Sequence, residues 1–351
     1  MYICFIKWDC SLITKNIGMK QLTVLLTIFT TVILFTSCDN RGGFISASGA
    51  NNEVLVVMDK HAWEGEAGRA LFDVLNSNVK GLPQPEPNFR IIHITPENFS
   101  STFRMARNII IPDISPMYSQ PKLSSELDSY ASGQVIMNIN AADSTAFAEF
   151  VSENSSTILD YFIEKELERN GEWLKSQIRS PSGRVQQMFG MNIHLPKGLV
   201  NFEEFNNFLW ATNNSGRGRQ DIVIYQLPYD SERVFEKESL ITIRDEYVGK
   251  YVTGAFDSNM TTATVYPPDY RTLEIDGIYR AELRGLWEMS TDMMGGPFVM
   301  QAFVNENTGM VVVVEAFVYA PEMNKRNLMR SLEAVFHTIS FPQSEDFVIE
   351  G

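Results

Sequence analysis

The feature that most restricts the folded part of this chain is an apolar run at residues 22–35, near the N-terminus. The run follows Lys20 and is separated from Cys38 by two small residues. A basic start, an apolar stretch of this length and small residues at its end are typical of a cleaved signal peptide. A membrane-spanning helix needs about 20 apolar residues, more than this run provides. We therefore exclude residues 19–37 from the folded protein.

The segment before Cys38 resembles the signal of a bacterial lipoprotein. The resemblance implies that Cys38 is acylated and becomes the first residue of the mature protein, which the lipid anchors to the membrane. Such signals usually carry Leu three positions before the cysteine, where this chain has Phe35. The alternatives are a transmembrane anchor, which the length of the run argues against, and an ordinary cleaved signal. Residues 1–18 precede Met19, an equally suitable start, and we interpret them as an over-long gene start.

Cysteine usage and charge exclude several classes of function. The cysteines are Cys4, Cys10 and Cys38, so the mature chain has none for a disulfide, a thiolate nucleophile or a metal site. The formal charge is −14 at pH 7 and becomes more negative once the signal peptide is removed. Nucleic acid is therefore excluded as an expected partner, because its binding needs a positive face. We interpret the small basic cluster of Arg217 and Arg219 as a hairpin tip.

The mature chain is predicted to contain a tether and two domains. Residues 39–52 are rich in Gly, Ser, Ala and Asn, which predicts a flexible tether. An N-terminal domain is predicted over 53–170 and a C-terminal domain over 184–342, separated by the block 170–183, where Pro and Gly accumulate. Strands come in runs with helices at the ends. We therefore predict an α+β fold in which each domain has a mainly antiparallel sheet flanked by helices.

Hydrophobic periodicity predicts the individual elements. The predicted strands are 54–58, 89–94, 108–114 and 134–139 in the first domain, and 185–195, 205–212, 221–227, 277–289, 297–304 and 310–318 in the second. The predicted helices are one that contains 67–75, one from 143 or 144 to about 169, one over 239–252 and one after Asn324 that contains 328–339.

Four stretches contain more Trp, Arg, Gly and Pro than packing requires. They are HAWEGEAG at 61–68, GLPQPEP at 81–87, ELRGLWEM and MMGGPF within 282–298, and FVYAP at 317–321 running into Lys325 and Arg326. Together with Arg244 and Asp245, these motifs resemble an uncharacterised domain-of-unknown-function family of envelope lipoproteins in Bacteroidetes-type bacteria. The resemblance spans the mature chain. It implies a periplasm-facing lipoprotein and supplies no activity, ligand or catalytic residue.

The second half also resembles, more loosely, the sandwich of the oxygen-evolving-complex extrinsic protein and Ran-binding stress-protein type. The likeness consists of a closing hairpin, a Tyr-Ala-Pro connection and a terminal helix. It implies a fold and not a function.

No metal site, cofactor or catalytic residue is predicted. The four histidines are isolated from one another, no serine lies in a Gly-x-Ser-x-Gly turn, and no phosphate-binding P-loop occurs. Two pairs of acids, Glu64 with Glu66 and Asp245 with Glu246, could supply the carboxylates of a glycosidase. Adjacent acids are more often a solvated face, so a carboxylate-dependent hydrolase of envelope glycans is the alternative function.

The candidate binding residues are Trp63, Arg284, Trp287, Glu288, Gly295 and Gly296. If 277–289 is a strand, alternation places Arg284 and Glu288 on one face and Trp287 on the other. Arg284 must pair with an acid or face a ligand, because burying an unpaired charge is costly. Two interpretations are open: an Arg–Glu pair that crosses a sheet beside a buried Trp, or a site where the glycines let the backbone approach a ligand.

Two function classes follow from these residues. The first is a non-catalytic, lipid-anchored envelope protein that faces the periplasm and binds a protein or a glycan through Trp63, Arg284 and Trp287. The second is the glycan hydrolase. Acids with perturbed pKa values in one concave pocket would favour the enzyme, and a flat aromatic patch would favour binding. We expect the first class.

Cys38→Ser removes the thiol that would accept the lipid, so we expect the variant to lose acylation and to leave the membrane fraction or remain uncleaved. Fractionation of cells and mass analysis of the N-terminus measure both effects. Ser46→Ala, which changes a residue of the predicted tether, serves as the control and should behave as wild type. Full membrane retention of a processed Cys38→Ser protein would refute the lipoprotein interpretation.

Overall fold

The chain forms two β-sheets with helices packed on their faces. The computed structural model describes residues 45–177 and 182–342. The predicted signal peptide, Cys38 and the tether as far as residue 44 lie outside the described residues. Both sheets belong to one compact unit, which begins at Ser46. Within the two described ranges, no helix combines the length and the apolar character that crossing a bilayer requires.

The first sheet has five strands in the order β2-β1-β3-β5-β4. The strands are β1 (Glu53–Val57), β2 (Arg90–Ile94), β3 (Asn108–Ile114), β4 (Lys122–Leu127) and β5 (Val135–Ala141). β1 pairs in parallel with β2 and β3, and β3 pairs in parallel with β5, whereas β4 is antiparallel to β5. This sheet is mixed, and the expectation of a mainly antiparallel sheet is wrong here. Helices and long connections between its strands return the chain for parallel pairing.

The four strands predicted for this domain are confirmed to within two residues as β1, β2, β3 and β5. The sequence did not predict β4, because its residues are polar and mostly exposed at the sheet edge. In that strand only Leu123 packs against the core of the domain.

The helices of the first domain are α1 (Lys60–Glu64), α2 (Glu66–Leu75), α3 (Ser144–Glu153) and α4 (Ser155–Lys175). The single helix predicted from residue 143 or 144 is therefore two helices. Asp143 caps α3 by accepting a hydrogen bond from the Ala146 backbone N–H at 2.8 Å. Asn154 ends α3, and its side-chain amide donates to the Phe150 carbonyl at 2.8 Å. α4 continues six residues beyond the predicted end at 169, because Leu174 in its last turn is buried.

The second sheet has eight strands, seven of them in the order β10-β11-β12-β13-β8-β7-β6. The strands are β6 (Asn201–Phe205), β7 (Phe208–Thr212), β8 (Arg219–Pro228), β9 (Met260–Thr262), β10 (Asp269–Ile275), β11 (Ile278–Met289), β12 (Gly295–Asn305) and β13 (Met310–Tyr319). Every neighbouring pair is antiparallel, and β9 adds to one end of β11. The mainly antiparallel sheet predicted for this domain is confirmed.

One strand predicted in this domain, 185–195, is wrong. Its first part is the helix α5 (Ser182–Phe189), in which Val185 and Phe189 are buried four residues apart. The alternation that predicted a strand comes from Met191 and Ile193, which are buried in an extended segment outside the ladder. A helical spacing of four residues is followed directly by an extended spacing of two residues. Together they give the sequence pattern of one continuous strand.

Helices cover both faces of the second sheet. One face packs against α6 (Lys237–Tyr251), and the other packs against α5, α7 (Arg326–Glu333) and the 3₁₀ turn Ala334–Thr338 that follows α7. The predicted helices over 239–252 and after Asn324 are thus confirmed. α4 serves both domains, because Phe162 packs in the first core and Leu174 packs in the second.

An α+β fold with two domains is confirmed. The boundary block 170–183 stays a prediction, since its first residues form the last turns of α4 and residues 178–181 lie outside the described ranges. Residues 46–52, assigned to the flexible tether, instead pack against the first domain. Ser46 forms a bridge with Ser132, and the buried Asn52 donates its backbone N–H to a buried carboxylate of α4.

Candidate functional site

β11 buries three charged side chains on one face of the second sheet. Arg280, Glu282 and Arg284 occupy alternate positions, so they share the face that α7 covers. Their exposed fractions are 0, 4 and 9%. Charges at this depth are stable only when they are paired and hydrogen-bonded. Their partners come from α7, the neighbouring strands and the 3₁₀ turn.

Glu333 of α7 holds two guanidinium groups. Arg284 donates from Nη1 and Nη2 to the two carboxylate oxygens of Glu333 at 3.1 and 2.8 Å. Arg330, one turn earlier in α7, donates from Nη1 to Oε2 of Glu333 at 2.8 Å. A bidentate pair of this kind fixes both distance and orientation, so it sets the position of α7 on the sheet.

Glu282 extends the polar layer across the sheet. It accepts hydrogen bonds from Arg271 Nε and Gln301 Nε2, both at 2.8 Å. Gln301 Oε1 in turn accepts from Nη1 of Arg280 at 3.0 Å. The same Nη1 donates to the Phe336 carbonyl oxygen at 2.8 Å, in the turn after α7. The buried charges therefore form one connected network.

The first domain closes this network through the proline-rich stretch after α2. The carboxylate of Glu86 accepts hydrogen bonds from the backbone N–H groups of Lys325 and Arg326 at 2.7 and 2.9 Å, where α7 begins. Asn88 accepts from Nη2 of Arg330 at 3.2 Å. The first backbone N–H groups of a helix have no acceptor within the helix, and here the first domain supplies that acceptor.

Gly81 lets the first domain pack closely on Arg284. Its φ of +73° is a conformation that residues with a side chain rarely adopt. A Cβ at this position would lie 2.6 Å from Cγ of Arg284, which is too close for a real contact. The glycine at the start of the proline-rich motif is therefore required by the contact between the domains.

A pocket of about 300 Å³ lies between the domains beside this network. Its walls include residues 77–80 of the first domain, Leu159 and Ile163 of α4, and Arg284 and Arg330 of the second domain. Concave sites at domain interfaces with a few convergent polar groups are the usual places for small ligands. This pocket is our candidate functional site.

The two carboxylates beside the pocket stay ionised. Burial alone would raise the pKa of Glu333, but Arg284 and Arg330 lower it to about 2. Burial likewise opposes ionisation of Glu282, yet Arg284 and Arg271 hold its pKa below the ordinary value. Both groups can accept hydrogen bonds at neutral pH, but neither holds a proton to donate.

Arg284 is paired, and its partner is Glu333 rather than Glu288. Residues four apart in a strand are separated by about 13 Å, so Arg284 and Glu288 share a face without touching. Glu288 instead lies opposite Gly295 at the end of the ladder. Trp287 points to the other face of the sheet, where it is buried in the core under α6. The structure therefore separates Arg284 from the other candidate residues of β11.

Gly295 and Gly296 begin β12 opposite Glu288 and Trp287. A Cβ on Gly296 would lie 2.0 Å from the Val318 carbonyl oxygen, and one on Gly295 would lie 2.9 Å from the Trp287 carbonyl oxygen. The glycines do permit a close backbone approach, as the sequence indicated. The groups that approach them are neighbouring strands, which gives these glycines a packing role.

Trp63 lies in α1 beside a different pocket of the first domain. Its ring stacks on His93 with the centroids 4.6 Å apart and the planes at 9°. His93 Nε2 is 2.9 Å from the Met58 carbonyl oxygen at the end of β1. This pocket is wider, at about 800 Å³, and contains neither Arg284 nor Trp287. The candidate residues thus occupy three separate environments.

Three of the four acids predicted for the alternative hydrolase bind neighbouring protein groups. Glu64 forms a surface ion pair with Lys60 at 3.8 Å, and Glu66 accepts a hydrogen bond from Thr145 at 3.0 Å. Asp245 accepts from the backbone N–H of Thr262 at 2.8 Å. In the described part of the chain, no cluster of three or more His, Cys, Asp or Glu side chains could hold a metal ion.

Glu333 and Arg330 are not among the candidate residues predicted from the sequence, although the sequence carries a signal for both. They lie three residues apart in a helix with neighbouring buried apolar residues, and charges alternate at 280, 282 and 284 of the facing strand. Glu86 carries no such signal, because its contact joins residues 239 positions apart.

Two family models match this chain. Residues 47–175 match "Domain of unknown function (DUF8532)", and residues 178–338 match "Domain of unknown function (DUF4837)". The prediction of an uncharacterised domain family is confirmed, with two such families where the sequence predicted one. That these families comprise envelope lipoproteins stays a prediction. A search of curated proteins gives no match.

Among solved structures, a mutant of protein Mog1 is 10% identical with a TM-score of 0.31, covering 44% of this chain and 93% of that one. The Ran-binding protein Mog1p of Saccharomyces cerevisiae is 11% identical with a TM-score of 0.28, covering 43% and 89%. A protein of Bacteroides thetaiotaomicron is 12% identical with a TM-score of 0.20, covering 45% and 47%. These scores are too low to support conclusions about fold or function.

Glu333→Gln leaves Arg284 and Arg330 buried without their shared carboxylate, so we expect the free energy of unfolding at pH 7 to fall by about 3–5 kcal/mol. Because the folded pKa of Glu333 is about 2 against an ordinary 4.5, its contribution is complete above pH 4.5 and is lost as the pH falls towards 2. The difference from wild type should therefore shrink over this range. Urea unfolding at a series of pH values measures it.

The matched control is Glu172→Gln, which changes an exposed acid of α4 and should cost less than about 0.5 kcal/mol. A difference between wild type and Glu333→Gln that stays constant down to pH 2 would show that the carboxylate does not bind these guanidiniums.

Proposed function

We propose that this chain of two domains of unknown function is a lipid-anchored, non-catalytic binding module of the bacterial envelope, and that the pocket between its domains holds the ligand. The observation that carries the binding role is the pocket itself. Both domains and α4 form its walls, and buried charged side chains converge on it. Such a site can fix the orientation of a small molecule while excluding much of the water around it.

The lipid anchor is supported by the sequence. The apolar run 22–35 and the two small residues before Cys38 are typical of an acylated N-terminus, while Phe35 stands where Leu is usual. We propose that a protein with this lipoprotein signal faces the periplasm, and that both domains are located there.

A binding role explains the pocket better than hydrolysis does. A glycosidase needs one carboxylic acid that is protonated at working pH and one carboxylate that is ionised. Glu282 and Glu333 are both ion-paired and both have lowered pKa values, so neither is suited to act as the acid. Ion-paired groups of this kind hold a ligand in place and leave its bonds intact.

Leu159→Trp places a large side chain at the pocket wall, so we expect it to block the ligand while leaving the charge network unchanged. The full chain is incubated with small molecules extracted from the envelope, and retained molecules are identified by mass spectrometry. Wild type should enrich at least one molecule. Leu159→Trp should retain at most about one tenth of the amount of that molecule that wild type retains.

Thr157→Trp makes the same change at an exposed position of α4 outside the pocket, and it should retain the ligand as wild type does. Thermal melting verifies that both variants are folded. Equal retention by Leu159→Trp and wild type, or no retained molecule at all, would refute a binding role for this pocket.

A further inference from the structure

We propose that the outer edge of β2 binds an extended peptide segment of a partner protein, which adds to the five-stranded first sheet as a further strand. The inference goes beyond the proposed function and does not depend on the pocket between the domains. It follows from the unpaired backbone groups of β2, the apolar character of this edge and two pockets that lie along it.

β2 is the end strand of the first sheet, so only one of its two edges is paired. The Arg90 N–H donates to the Asn52 carbonyl oxygen at 2.8 Å, and the Ile94 carbonyl oxygen accepts from the N–H that follows β1 at 3.0 Å. Alternate residues of a parallel strand bond to the same neighbour, so the backbone groups of Ile91 and His93 point away from β1. In the described part of the chain, these outward N–H and C=O groups have no hydrogen-bond partner.

The open edge of β2 is apolar, unlike other strands at the ends of the two sheets. Residues 91–94 are Ile-Ile-His-Ile and are only partly buried, whereas residues 54–57 of β1 are buried. The end strands β4, β6 and β10 are mostly exposed, and each carries at least two charged residues, which opposes pairing with another chain. β2 carries a single Arg at its first position and no Pro. An apolar edge with unpaired backbone groups is a template for another strand.

Two pockets lie along β2 on the side that α1 and α2 cover. One pocket, of about 430 Å³, is lined by Ile91, Phe89 and Phe72 of α2. The other is the pocket of about 800 Å³ beside Trp63, which His93 also lines. Residues 91 and 93 share one face of the sheet, and each borders one pocket. A strand added beside β2 can therefore place side chains two positions apart, about 7 Å, in the two pockets.

An extended peptide is the ligand whose chemistry matches this edge. Its own backbone presents N–H and C=O groups at the two-residue repeat that Ile91 and His93 require. Phe72 borders one pocket, and Trp63 and Phe103 border the other, so large apolar side chains at alternate positions of the peptide fit both. A second copy of this chain is disfavoured as the occupant, because each copy carries a formal charge of −14 and like charges repel.

Amide hydrogen exchange of the full-length protein tests whether the edge is open. We expect the amides of Ile91 and His93 to exchange at least about tenfold faster than those of Ile92 and Ile94. The latter two bond to β1 and are matched controls within the same strand. NMR measures the four rates separately. Equal protection of all four amides would show that this edge is already covered and would overturn the proposal.

A peptide selected by phage display from random decapeptides, with the full-length wild-type protein as bait, tests the occupant. Only alternate backbone N–H groups of an added strand bond to β2. N-methylation at alternate positions of the peptide should therefore weaken binding about tenfold or more, and methylation at the positions between them should leave binding unchanged. The bound peptide should also slow the exchange of the Ile91 and His93 amides. These comparisons use only wild type.

Two tryptophan variants test the pocket beside α1. Trp63→Ala removes a wall of that pocket and should weaken peptide binding about tenfold, whereas Trp173→Ala, at an exposed position of α4, should bind as wild type does. Unchanged binding by a folded Trp63→Ala would overturn the role of this pocket. Leu159→Trp should bind the peptide as wild type does, so the proposed function and this inference can fail separately.

Two further results would overturn the proposal. The first is that no selected peptide protects the two outward amides, or that the effects of methylation do not alternate. The second is that these amides become protected as the concentration of the protein alone is raised, which would assign the edge to a second copy of the chain.

Discussion

The ion pair between Arg284 and Glu333 is the contact on which the arrangement of the two domains depends. It fixes α7 on the second sheet, and the first turn of α7 is where Glu86 of the first domain binds. Moving two charges out of water is costly, and a buried pair offsets that cost only when its remaining hydrogen bonds are made. Arg330 donates a further hydrogen bond to Glu333, and Asn88 of the first domain accepts one from Arg330.

An apolar interface of the same size could hold the domains together equally well, since replacing buried ion pairs by hydrophobic residues is often neutral or stabilising. What the charges add is a defined register between α7 and the sheet, and a polar wall for the pocket. In the opposite core, Arg244 pairs with the buried Glu315 at 2.8 Å and with the partly exposed Asp245 at 3.2 Å.

Local patterns predicted most of the fold. The strands 108–114 and 310–318 appear within a residue of their predicted bounds, because each contains a run of consecutive β-branched residues, 109–111 and 311–314, most of which are buried. The parallel pairing of the first sheet was not predictable, because strand direction depends on how connections pack rather than on the strands themselves. Arg284 was recognised as a buried charge that needs a partner. Glu333 was assigned to no role, since nothing in one sequence shows which helix will cover which strand.

A crystal structure of the protein purified from its native envelope, without added ligand, tests the central claim most directly. We predict electron density for a small organic molecule in the pocket between the domains, with Arg284 still bound to Glu333. A pocket filled only by ordered water would contradict this prediction.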